Sequence, residues 1–438
     1  MKTNSDIQHN LPVQLNSFIG RQKDIEHLMK LLDDTRLLTL TGTGGVGKTR
    51  LSLQVAGSML ETFINGVWFI ELAQVINTEH LIHRISSTLE IHDSGNHNCL
   101  DMLTSFLKNR NLLLILDNCE HLIQEDARLA SYLEHMLCSC PDLKILASSR
   151  EPICIAGETI YRVLPLPLPV LEENFQVDNL IQYEAVQLFV ERARAFSPGF
   201  DLSDETASNI VDICHLMDGI PLAIELAAAR TNMLSLPQIS HDLEDSLRLL
   251  TRGGKTSTPR QQTLLASMAW SFGLLTDKEK ILFQRLAVFS GKFLLPDVEV
   301  LCCDTAETDD SSRPAISLDS VEILDLLSNL VDKSLVNVTP DGYTSYRLLN
   351  PIHLFALEKL KASSEESSQR DLHLHYYCEF SQNTHLIIQC HDLPLLLKRF
   401  EIEIDNLRSA LDWSVKSHSI ESGLSLACNL GEFWWRQG

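Results

Sequence analysis

The sequence predicts an α/β domain built on a parallel sheet, followed by helical domains over the rest of its 438 residues. Short apolar runs alternate with amphipathic stretches up to about residue 165, which is typical of parallel strands joined by crossover helices. Alternating prolines follow in VLPLPLPVLEEN, residues 163–174. They exclude a central strand and mark a hinge. From residue 183 onward, apolar residues recur mainly at helical spacing.

The composition disfavours nucleic-acid-binding and membrane-spanning classes of protein. The net charge is −22, from 36 basic and 58 acidic side chains, and no long run of Lys and Arg is present. An acidic chain repels nucleic acid and anionic membranes, so direct nucleic-acid binding is disfavoured. The N-terminus has no apolar signal core, and no apolar stretch approaches the roughly 18 residues of a membrane span. The eleven scattered cysteines are typical of reduced thiols, so we expect a cytoplasmic protein without a membrane segment.

A glycine cluster follows the first predicted strand. LLTLT at 37–41 is short and apolar, GTGGVGKT at 42–49 fits the P-loop pattern G-x-x-x-x-G-K-[ST], and the next residues suit a largely buried helix. Glycines let backbone N–H groups approach phosphate oxygens, and the helix start adds its positive dipole end. A chance match is the alternative, which the flanking strand and helix disfavour. We predict that ATP or ADP binds to Gly42, Thr43, Gly44, Gly45, Val46, Gly47, Lys48, Thr49 and Arg50.

A second motif supplies the carboxylate that a P-loop needs. NLLLILDN at 111–118 predicts a strand buried on both faces, with Asp117 at its carboxyl end. We expect Lys48 to reach the β- and γ-phosphates, and Thr49 and Asp117 to hold Mg²⁺. A strand-ending Asp in a turn is the alternative for Asp117. The next residue is Asn118, a neutral amide that cannot act as a general base.

Two further residues complete the catalytic candidates. Glu120 lies close to Asp117 in the sequence and could replace the missing base, although no pattern aims its side chain. LKILASSR at 143–150 predicts another strand, which places Arg150 beside the expected γ-phosphate as a sensor of its charge. An ordinary surface arginine is the alternative. The site therefore predicts slow ATP hydrolysis, as in a switch rather than a motor. GVWFIEL at 66–72 predicts one more core strand.

Five segments together resemble a known family. They are FIGRQKDIEHLMKLL (18–32), the P-loop, LLLILDNCEHL (112–122), ILASSREP (145–152) and GIPLAIELAAAR (219–230), in this order. The sequence is similar to the STAND-class AP-ATPase/NB-ARC signal-transduction ATPases, above all to bacterial regulators in which such an ATPase precedes helical repeats. The resemblance implies an α/β P-loop NTPase sheet domain followed by an all-α lid, a winged-helix domain and the start of an α-helical repeat array.

The resemblance also implies roles for residues outside the P-loop. Ile19, Gly20 and Arg21 match the family's segment that lies along the adenine and ribose. Pro221 and Leu222 match the G-x-P-L turn of the small helical domain, where the proline packs near the adenine and couples nucleotide to lid. Independently, a proline favours the first position of a helix, and LAIELAAAR is a strong helix former. A plain helix–helix turn is the alternative.

One family feature is absent. In related eukaryotic switches a Met-His-Asp triplet near the end of the winged helix contacts the ADP β-phosphate. The aligned residues here are Leu348, Leu349 and Asn350, so that histidine contact is not predicted. His353 lies three residues on and could face the same way on a helix, but we interpret it as a packing residue.

The sequence predicts five segments. They are an N-terminal tail (1–16), a P-loop nucleotide-binding domain (17–165), a helical lid (166–250), a winged-helix domain (251–360) and a helical, tetratricopeptide-like segment (361–438).

The predicted winged helix rests on helical patterns followed by a hairpin pattern, SLVNVTPDGYTSYRLL at 334–349. Such a fold can bind DNA, but no basic recognition helix stands out, and in the resembled family it usually acts as a moving arm. Repeat arrays need several stacked repeats, so we expect the array to be truncated or unusually short. Its uncovered apolar surface would favour self-association or a protein partner through the C-terminal helices.

The favoured hypothesis is an ATP/ADP-operated signal-transduction switch with slow hydrolysis, which controls assembly or transcription through its helical domains. One alternative is a transcriptional regulator that binds DNA through the winged helix. The other is a P-loop phosphotransferase acting on a small molecule, which would need an acceptor pocket and a base beside the P-loop.

Overall fold

The computed structural model describes residues 8–14, 16–72, 75, 77–91, 99–125, 128–170, 177–245, 263–304, 317–339, 344–387 and 393–437. Contacts divide the chain into two units. The first comprises Met1–Glu244 and Arg252–Leu264, and the second comprises Asp245–Thr251 and Leu265–Gly438. The N-terminal boundary of the predicted winged helix, at residue 251, lies outside the described residues. The four boundaries between the five predicted segments stay predictions.

The first unit is built on a five-stranded parallel sheet. Its strands are β1 (Leu37–Thr41), β2 (Val67–Glu71), β3 (Leu112–Asp117), β4 (Leu143–Ser148) and β5 (Glu158–Arg162). They lie in the order β2-β3-β4-β1-β5, and every neighbouring pair is parallel. The predicted α/β class with a parallel sheet is therefore confirmed. Because the strands are parallel, all their carboxyl ends meet at one edge, where the motif residues follow.

Strand β5 was not predicted from the sequence. It is an edge strand whose residues are half-buried or exposed, and Ile160 is 51% exposed. An edge strand lacks the continuous apolar run that marks the buried strands β1, β3 and β4. Residues 163–170, at the start of the predicted hinge, form no regular element.

Apolar side chains cover both faces of the sheet. Along β3, Leu112, Leu114 and Leu116 belong to one core cluster and Leu113 and Ile115 to another, as expected when successive side chains alternate across a strand. The helices around the sheet are α1 (Gln22–Asp34), α2 (Lys48–Ser58), α3 (Thr78–Thr88), α4 (Cys99–Leu107), α5 (Glu120–Glu125) and α6 (Arg128–Ser139). Helices α3, α4 and α6 close the first cluster, and α1 and α2 close the second.

Part of the predicted N-terminal tail lies along the outer edge of β2. His9 forms a parallel bridge with Val67. The Asn10 side chain accepts a hydrogen bond from the N–H of Phe69 (2.6 Å) and donates one to its carbonyl (2.8 Å). These bonds occupy polar backbone groups that an edge strand would otherwise expose.

The helices of the predicted lid belong to the same unit as the sheet. They are α7 (Val177–Leu180), α8 (Glu184–Phe196), α9 (Asp204–Leu216), α10 (Pro221–Ala228) and α11 (Leu236–Asp245). Pro221 occupies the first turn of α10, where its missing N–H leaves no helical bond unmade. Gly219 has φ 68°, and a Cβ there would lie 2.2 Å from the carbonyl oxygen of Leu166, so the hinge passes directly against this turn.

The second unit, from Leu265 onward, is mainly helical. Helices α12 (Thr263–Gly273), α13 (Asp277–Arg285), α14 (Leu295–Leu301) and α15 (Ser320–Asp332) precede an antiparallel hairpin of β6 (Asn337–Thr339) and β7 (Ser345–Arg347), and then come α16 (Asn350–Ala362), α17 (Glu366–Ile387), α18 (Leu393–Lys416) and α19 (Ile420–Gln437). Residues 340–343, between the hairpin strands, lie outside the described residues. The winged helix and the repeat array stay predictions.

Packing in the second unit accounts for two features. The His353 side chain is half-buried, with Nε2 2.9 Å from the carbonyl oxygen of Ala287, so it packs within the unit, as interpreted from the sequence. Helices α17, α18 and α19 share a core that includes Tyr377, Phe400 and Leu426. Across the described stretches of chain, no helix combines the length and the apolar character that crossing a bilayer requires.

Candidate functional site

The glycine loop joins β1 to α2. Residues 42–47 lie between these elements, and Lys48 is the first residue of α2. Gly42 has φ 147°, and a Cβ there would lie 2.7 Å from the carbonyl oxygen of Val163. Gly47 precedes the helix with φ 97°, in the left-handed region that favours glycine. The free N–H groups of the first helical turn therefore adjoin the loop and form a ready site for an anion.

Lys48 folds back over this loop. Its Nζ donates hydrogen bonds to the carbonyl oxygens of Gly42 (2.5 Å) and Thr43 (3.2 Å), and the side chain is buried. Burial lowers the pKa of Lys48 to about 8, while the Glu120 carboxylate opposes this shift and the Arg150 guanidinium adds to it. The ammonium group is thus held at the loop in a shielded setting where its charge acts strongly.

Asp117 and Thr49 meet at the carboxyl edge of the sheet. The Thr49 hydroxyl donates to Asp117 Oδ1 at 2.7 Å, and the Ser148 hydroxyl donates to the same oxygen at 2.5 Å. The Asp117 side chain is fully buried, and burial raises its pKa above the usual value. These two hydroxyls fix the carboxylate beside the first turn of α2.

The same pair of residues fits a magnesium ion. Asp117 Oδ2 is buried and makes no hydrogen bond to any described group, so one hard oxygen next to the Thr49 hydroxyl is left available as a ligand. Among the described residues, no cluster of three or more His, Cys, Asp or Glu could hold a metal. A site with one carboxylate and one hydroxyl suits Mg²⁺, which usually keeps several waters and takes its other ligands from substrate phosphates.

Glu120 and Arg150 form a shielded ion pair at the same edge. Glu120 opens α5, and Arg150 follows β4 by two residues. Arg150 Nε lies 3.2 Å from Glu120 Oε1, and the two side chains are 12% and 7% exposed. Burial lowers the pKa of Arg150 and Glu120 opposes that shift. The surface-arginine alternative is therefore wrong, because the Arg150 side chain is only 12% exposed and lies against a carboxylate, whereas its role as a sensor stays a prediction.

The segment before α1 contacts both the glycine loop and the hinge. Arg21 has φ 61°, and its Nη2 donates to the carbonyl oxygens of Val46 (3.0 Å) and Leu164 (2.7 Å). Its backbone N–H donates to Glu184 of α8 at 2.7 Å. Ile19, just before these residues, is half-buried. The segment thus links the P-loop, the residues after β5 and helix α8 within the first unit.

Gly20 is packed directly against α8. It has φ 69°, and a Cβ at this position would lie 2.3 Å from Cδ of Glu184. On the other side of the loop, the N–H of Leu222 donates to the carbonyl oxygen of Gly45 at 3.2 Å. The predicted turn at Pro221 and Leu222 therefore adjoins the P-loop through its backbone.

The Arg50 side chain contacts the N-terminal segment and α10. Its Nη2 donates to the carbonyl oxygens of Asn16 (3.2 Å) and Ser17 (2.7 Å), and its Nη1 lies 3.3 Å from Glu225 Oε1. Arg192 of α8 joins the same carboxylate through Nε at 2.9 Å and donates to the same Ser17 carbonyl at 2.9 Å. We call Ser17, Arg50, Arg192 and Glu225 the lid clasp, because it ties α2 and the N-terminal segment to α8 and α10.

Sequence patterns missed several residues of this region. Ser148 was assigned only to a strand end, yet its hydroxyl both donates to Asp117 and accepts the N–H of Asn118 at 3.1 Å. Glu184 and Arg192 belong to none of the motifs, and Glu225 lies inside GIPLAIELAAAR without a role assigned to it. The helical period, which places Glu225 on a face of α10, offered one further signal.

Comparisons with known proteins identify a family and several relatives. The NB-ARC domain family matches residues 21–126, which contain the P-loop and Asp117. An uncharacterized protein of Mycobacterium tuberculosis (strain ATCC 25618 / H37Rv) is 37% identical over 360 residues, which cover 82% of this chain and 85% of that protein. The chain belongs to the STAND-class NB-ARC ATPases. The resemblance found in the sequence motifs is thereby confirmed.

Two further relatives of this NB-ARC chain are larger proteins. A second protein of the same M. tuberculosis strain is 40% identical over 407 residues, which cover 92% of this chain and 42% of that protein. Its name describes it, provisionally, as an HTH-type transcriptional regulator. The regulatory protein AfsR of Streptomyces griseus is 24% identical over 387 residues, which cover 84% of this chain and 35% of AfsR. The NB-ARC chain thus spans less than half the length of these two relatives.

Proposed function

We propose that this chain is an ATP/ADP-binding signal-transduction switch with slow ATP hydrolysis, which controls assembly or transcription through its helical domains. The observation that carries the proposal is the contact of Thr49 with Asp117, at 2.7 Å, beneath a glycine loop at the carboxyl edge of a parallel sheet. Strand-end carboxylate, helix-start hydroxyl and glycine loop are the parts that a Mg²⁺–nucleotide site requires.

Most of the predicted site residues have a role in this proposal, with Arg150 as a sensor of the γ-phosphate, whereas the Arg50 side chain contacts Glu225. Backbone N–H groups of 42–49 bind the phosphates, Lys48 adds a positive charge, and Thr49 and Asp117 hold Mg²⁺. When bound, Mg²⁺ would offset the charge of the β- and γ-phosphates. Ile19, Gly20 and Arg21 on one side, with Pro221 and Leu222 on the other, line the adenine and ribose.

Slow hydrolysis follows from the residues after β3. Asn118 has φ 64°, and its N–H is held by the Ser148 hydroxyl at 3.1 Å. Its side-chain amide cannot accept the proton of an attacking water as a carboxylate can. The nearest alternative base, Glu120, is paired with Arg150. An ATP-bound state would therefore persist long enough to act as a signal.

The lid clasp and the Leu222–Gly45 contact support the coupling of nucleotide to helices. Both join the P-loop region to α8 and α10 inside the first unit. A nucleotide that alters the loop carbonyls or the first turn of α2 would change these contacts. We infer that ATP and ADP favour different lid positions, because a ligand shifts a conformation only by its different affinity for the two states.

The proposal is tested by nucleotide binding to the wild type and to Lys48→Ala. We expect the variant to lose about 100-fold or more in affinity for both ATP and ADP, measured by calorimetry with Mg²⁺. Lys108→Ala removes an exposed lysine at the end of α4 and serves as the control. Equal affinity in the wild type and in Lys48→Ala would reject the switch, as would the absence of nucleotide binding by the wild type.

A DNA-binding regulator is the second candidate, favoured by the name of one larger relative, an HTH-type transcriptional regulator. The net charge of −22 opposes it. Binding of duplex DNA that weakens steeply with salt would support this function for the chain. No binding at low salt would leave regulation to a partner or to sequence beyond the matched region.

A further inference from the structure

We propose that Glu120 competes with the terminal phosphate of ATP for Arg150, and that it thereby biases the site toward ADP. This inference rests on the proposed function and on the role predicted from the sequence for Arg150, as a sensor of the γ-phosphate. It gives Glu120 a part in selecting the nucleotide, which differs from the role of general base considered from the sequence.

The two residues come together because of the strand order. β3 and β4 are parallel neighbours, so the segments that leave their carboxyl ends start side by side. Glu120 follows β3 by three residues and Arg150 follows β4 by two. Their side chains meet at 3.2 Å (Nε to Oε1) with little exposure to solvent. The pair lies at the edge where Asp117 meets Thr49.

The Glu120 carboxylate is only partly satisfied. Oε1 lies against Arg150, whereas Oε2 is buried and makes no hydrogen bond to any described group. A shielded carboxylate with one free oxygen depends on nearby positive charge. Lys48 supplies some, since the electrostatic effect of Glu120 reaches its ammonium group. Glu120 therefore relies on the two cations that the proposed function assigns to the phosphates.

This dependence acts against ATP more than against ADP. The γ-phosphate brings further negative charge, and a guanidinium that turns toward it leaves Glu120 with a weaker partner in a shielded place. The carboxylate and the phosphate also repel each other across the low-dielectric site. ADP lacks that phosphate and leaves the pair intact. Selectivity is a difference between two affinities, so a cost borne by ATP alone favours ADP.

The inference is tested with Glu120→Gln, which keeps the shape of the side chain and removes its charge. Dissociation constants for ADP and for a non-hydrolysable ATP analogue, each with Mg²⁺, are measured by calorimetry. We expect the ATP analogue to bind Glu120→Gln roughly tenfold more tightly than it binds the wild type. The constant for ADP should change by less than about twofold.

Glu79→Gln is the matched control. Glu79 pairs with Arg128 at 2.8 Å in the same unit, but both side chains are largely exposed, so neither nucleotide should be affected. A second variant, Arg150→Met, tests the partner. When Glu120→Gln is added to Arg150→Met, the ratio of the two dissociation constants should change by no more than about twofold.

Several outcomes would overturn the inference. One is an equal change in the dissociation constants of both nucleotides in Glu120→Gln. Another is an unchanged ratio of these constants together with loss of ATP hydrolysis, which would make Glu120 a catalytic base. If Glu120→Gln unfolds at a lower temperature than the wild type, Glu120→Asp, which withdraws the carboxylate by one methylene, must still raise the ATP-to-ADP affinity ratio. Loss of binding in Lys48→Ala with an unchanged ratio in Glu120→Gln would keep the switch and reject the selectivity role.

Discussion

Two clusters of shielded charge, one in each unit, differ in what surrounds them. The phosphate cluster of the first unit consists of Lys48, Asp117, Glu120 and Arg150. The helix cluster of the second unit consists of Asp297, Tyr376, Tyr377, Arg399, Glu403 and Asn406. Both contain fully buried carboxyl groups, Asp117 in the first and Asp297 and Glu403 in the second, and both retain a carboxyl oxygen with no hydrogen bond to a described group.

The helix cluster bonds to backbone that it holds in place. Asp297 Oδ2 accepts the N–H of Leu294 at 2.7 Å, and Asp297 Oδ1 pairs with Arg399 and accepts the Tyr376 hydroxyl. Asn406 accepts the N–H of Ser290 at 3.0 Å and donates to the carbonyl of Lys292 at 2.7 Å. These contacts join α14 and the turn before it to α17 and α18.

The difference teaches that buried charge alone does not identify a binding site. Residues of the phosphate cluster lie beside backbone N–H groups of a glycine loop, which can take an anion from solution. Residues of the helix cluster are surrounded by helices, and they form their hydrogen bonds with other groups of the protein. We therefore expect substitutions in the helix cluster to lower stability, and substitutions in the phosphate cluster to lower nucleotide affinity.

The largest expected effect is on stability, from Arg399→Met. It leaves Asp297 and Glu403 as adjacent buried carboxyl groups without their cation, and breaking such a pair costs about 3 kcal/mol. Hydrogen exchange of peptides from α14, α17 and α18 against denaturant measures this cost locally. Arg408→Met, which breaks an exposed pair with Asp405, should cost less than about 0.5 kcal/mol. Weaker nucleotide binding in Arg399→Met would contradict the division between the clusters.

The converse substitution is Asp117→Asn in the phosphate cluster. The new amide oxygen can still accept from Thr49 and Ser148, and a shielded charge is removed, so the free energy of unfolding should change by less than about 1 kcal/mol. The Mg²⁺-dependent affinity for nucleotide should fall about 100-fold, because a metal ligand is lost. Calorimetry with and without Mg²⁺ measures this, with the exposed Asp101→Asn as control. Normal affinity in Asp117→Asn would remove the basis for the magnesium site.

A pH dependence separates the clusters further. Burial, helped by the nearby Asp297 carboxylate, raises the pKa of Glu403 from 4.5 to about 8. The folded state thus holds this proton more tightly than the unfolded chain. Its contribution to stability is complete below pH 4.5 and is lost as the pH rises through about 8. Burial lowers the pKa of His373 from 6.5 to about 3, so the contribution of His373 is complete above pH 6.5 and is lost only in acid.

Between pH 6.5 and 8.5, the second unit should therefore lose stability through Glu403, by at most about 1.4 kcal/mol per pH unit. Glu403→Gln should flatten this slope. Urea unfolding of the wild type and of Glu403→Gln across that range gives the difference between their slopes. Lys48 in the first unit titrates in both proteins, so its effect cancels in this difference. Parallel slopes for the two proteins would show that Glu403 does not titrate there.

The two clusters also show what a sequence can predict. The phosphate cluster was found because several of its residues belong to short sequence motifs. Lys48 and Thr49 belong to a glycine motif, and Asp117 ends an apolar run. The partners Glu120 and Arg150 were named, but their contact was not, since it depends on β3 and β4 being neighbours. The helix cluster was not found at all. Asp297 and Arg399 are 102 positions apart and belong to no motif, so only the packing of α14 against α17 and α18 brings them together.

The smallest expected effect concerns the loop backbone beside the phosphate cluster. Gly47 has φ 97°, and a Cβ there would meet no described atom within 4 Å. Gly47→Ala should therefore cost about 1 kcal/mol of unfolding free energy from the left-handed backbone alone. Gly57, in the same helix α2, also has open space around it but lacks a positive φ. Gly57→Ala should raise stability by about 0.5 to 1 kcal/mol. Effects of the same sign, measured by urea unfolding, would mean that the loop is not held in the conformation that exposes its N–H groups to phosphate.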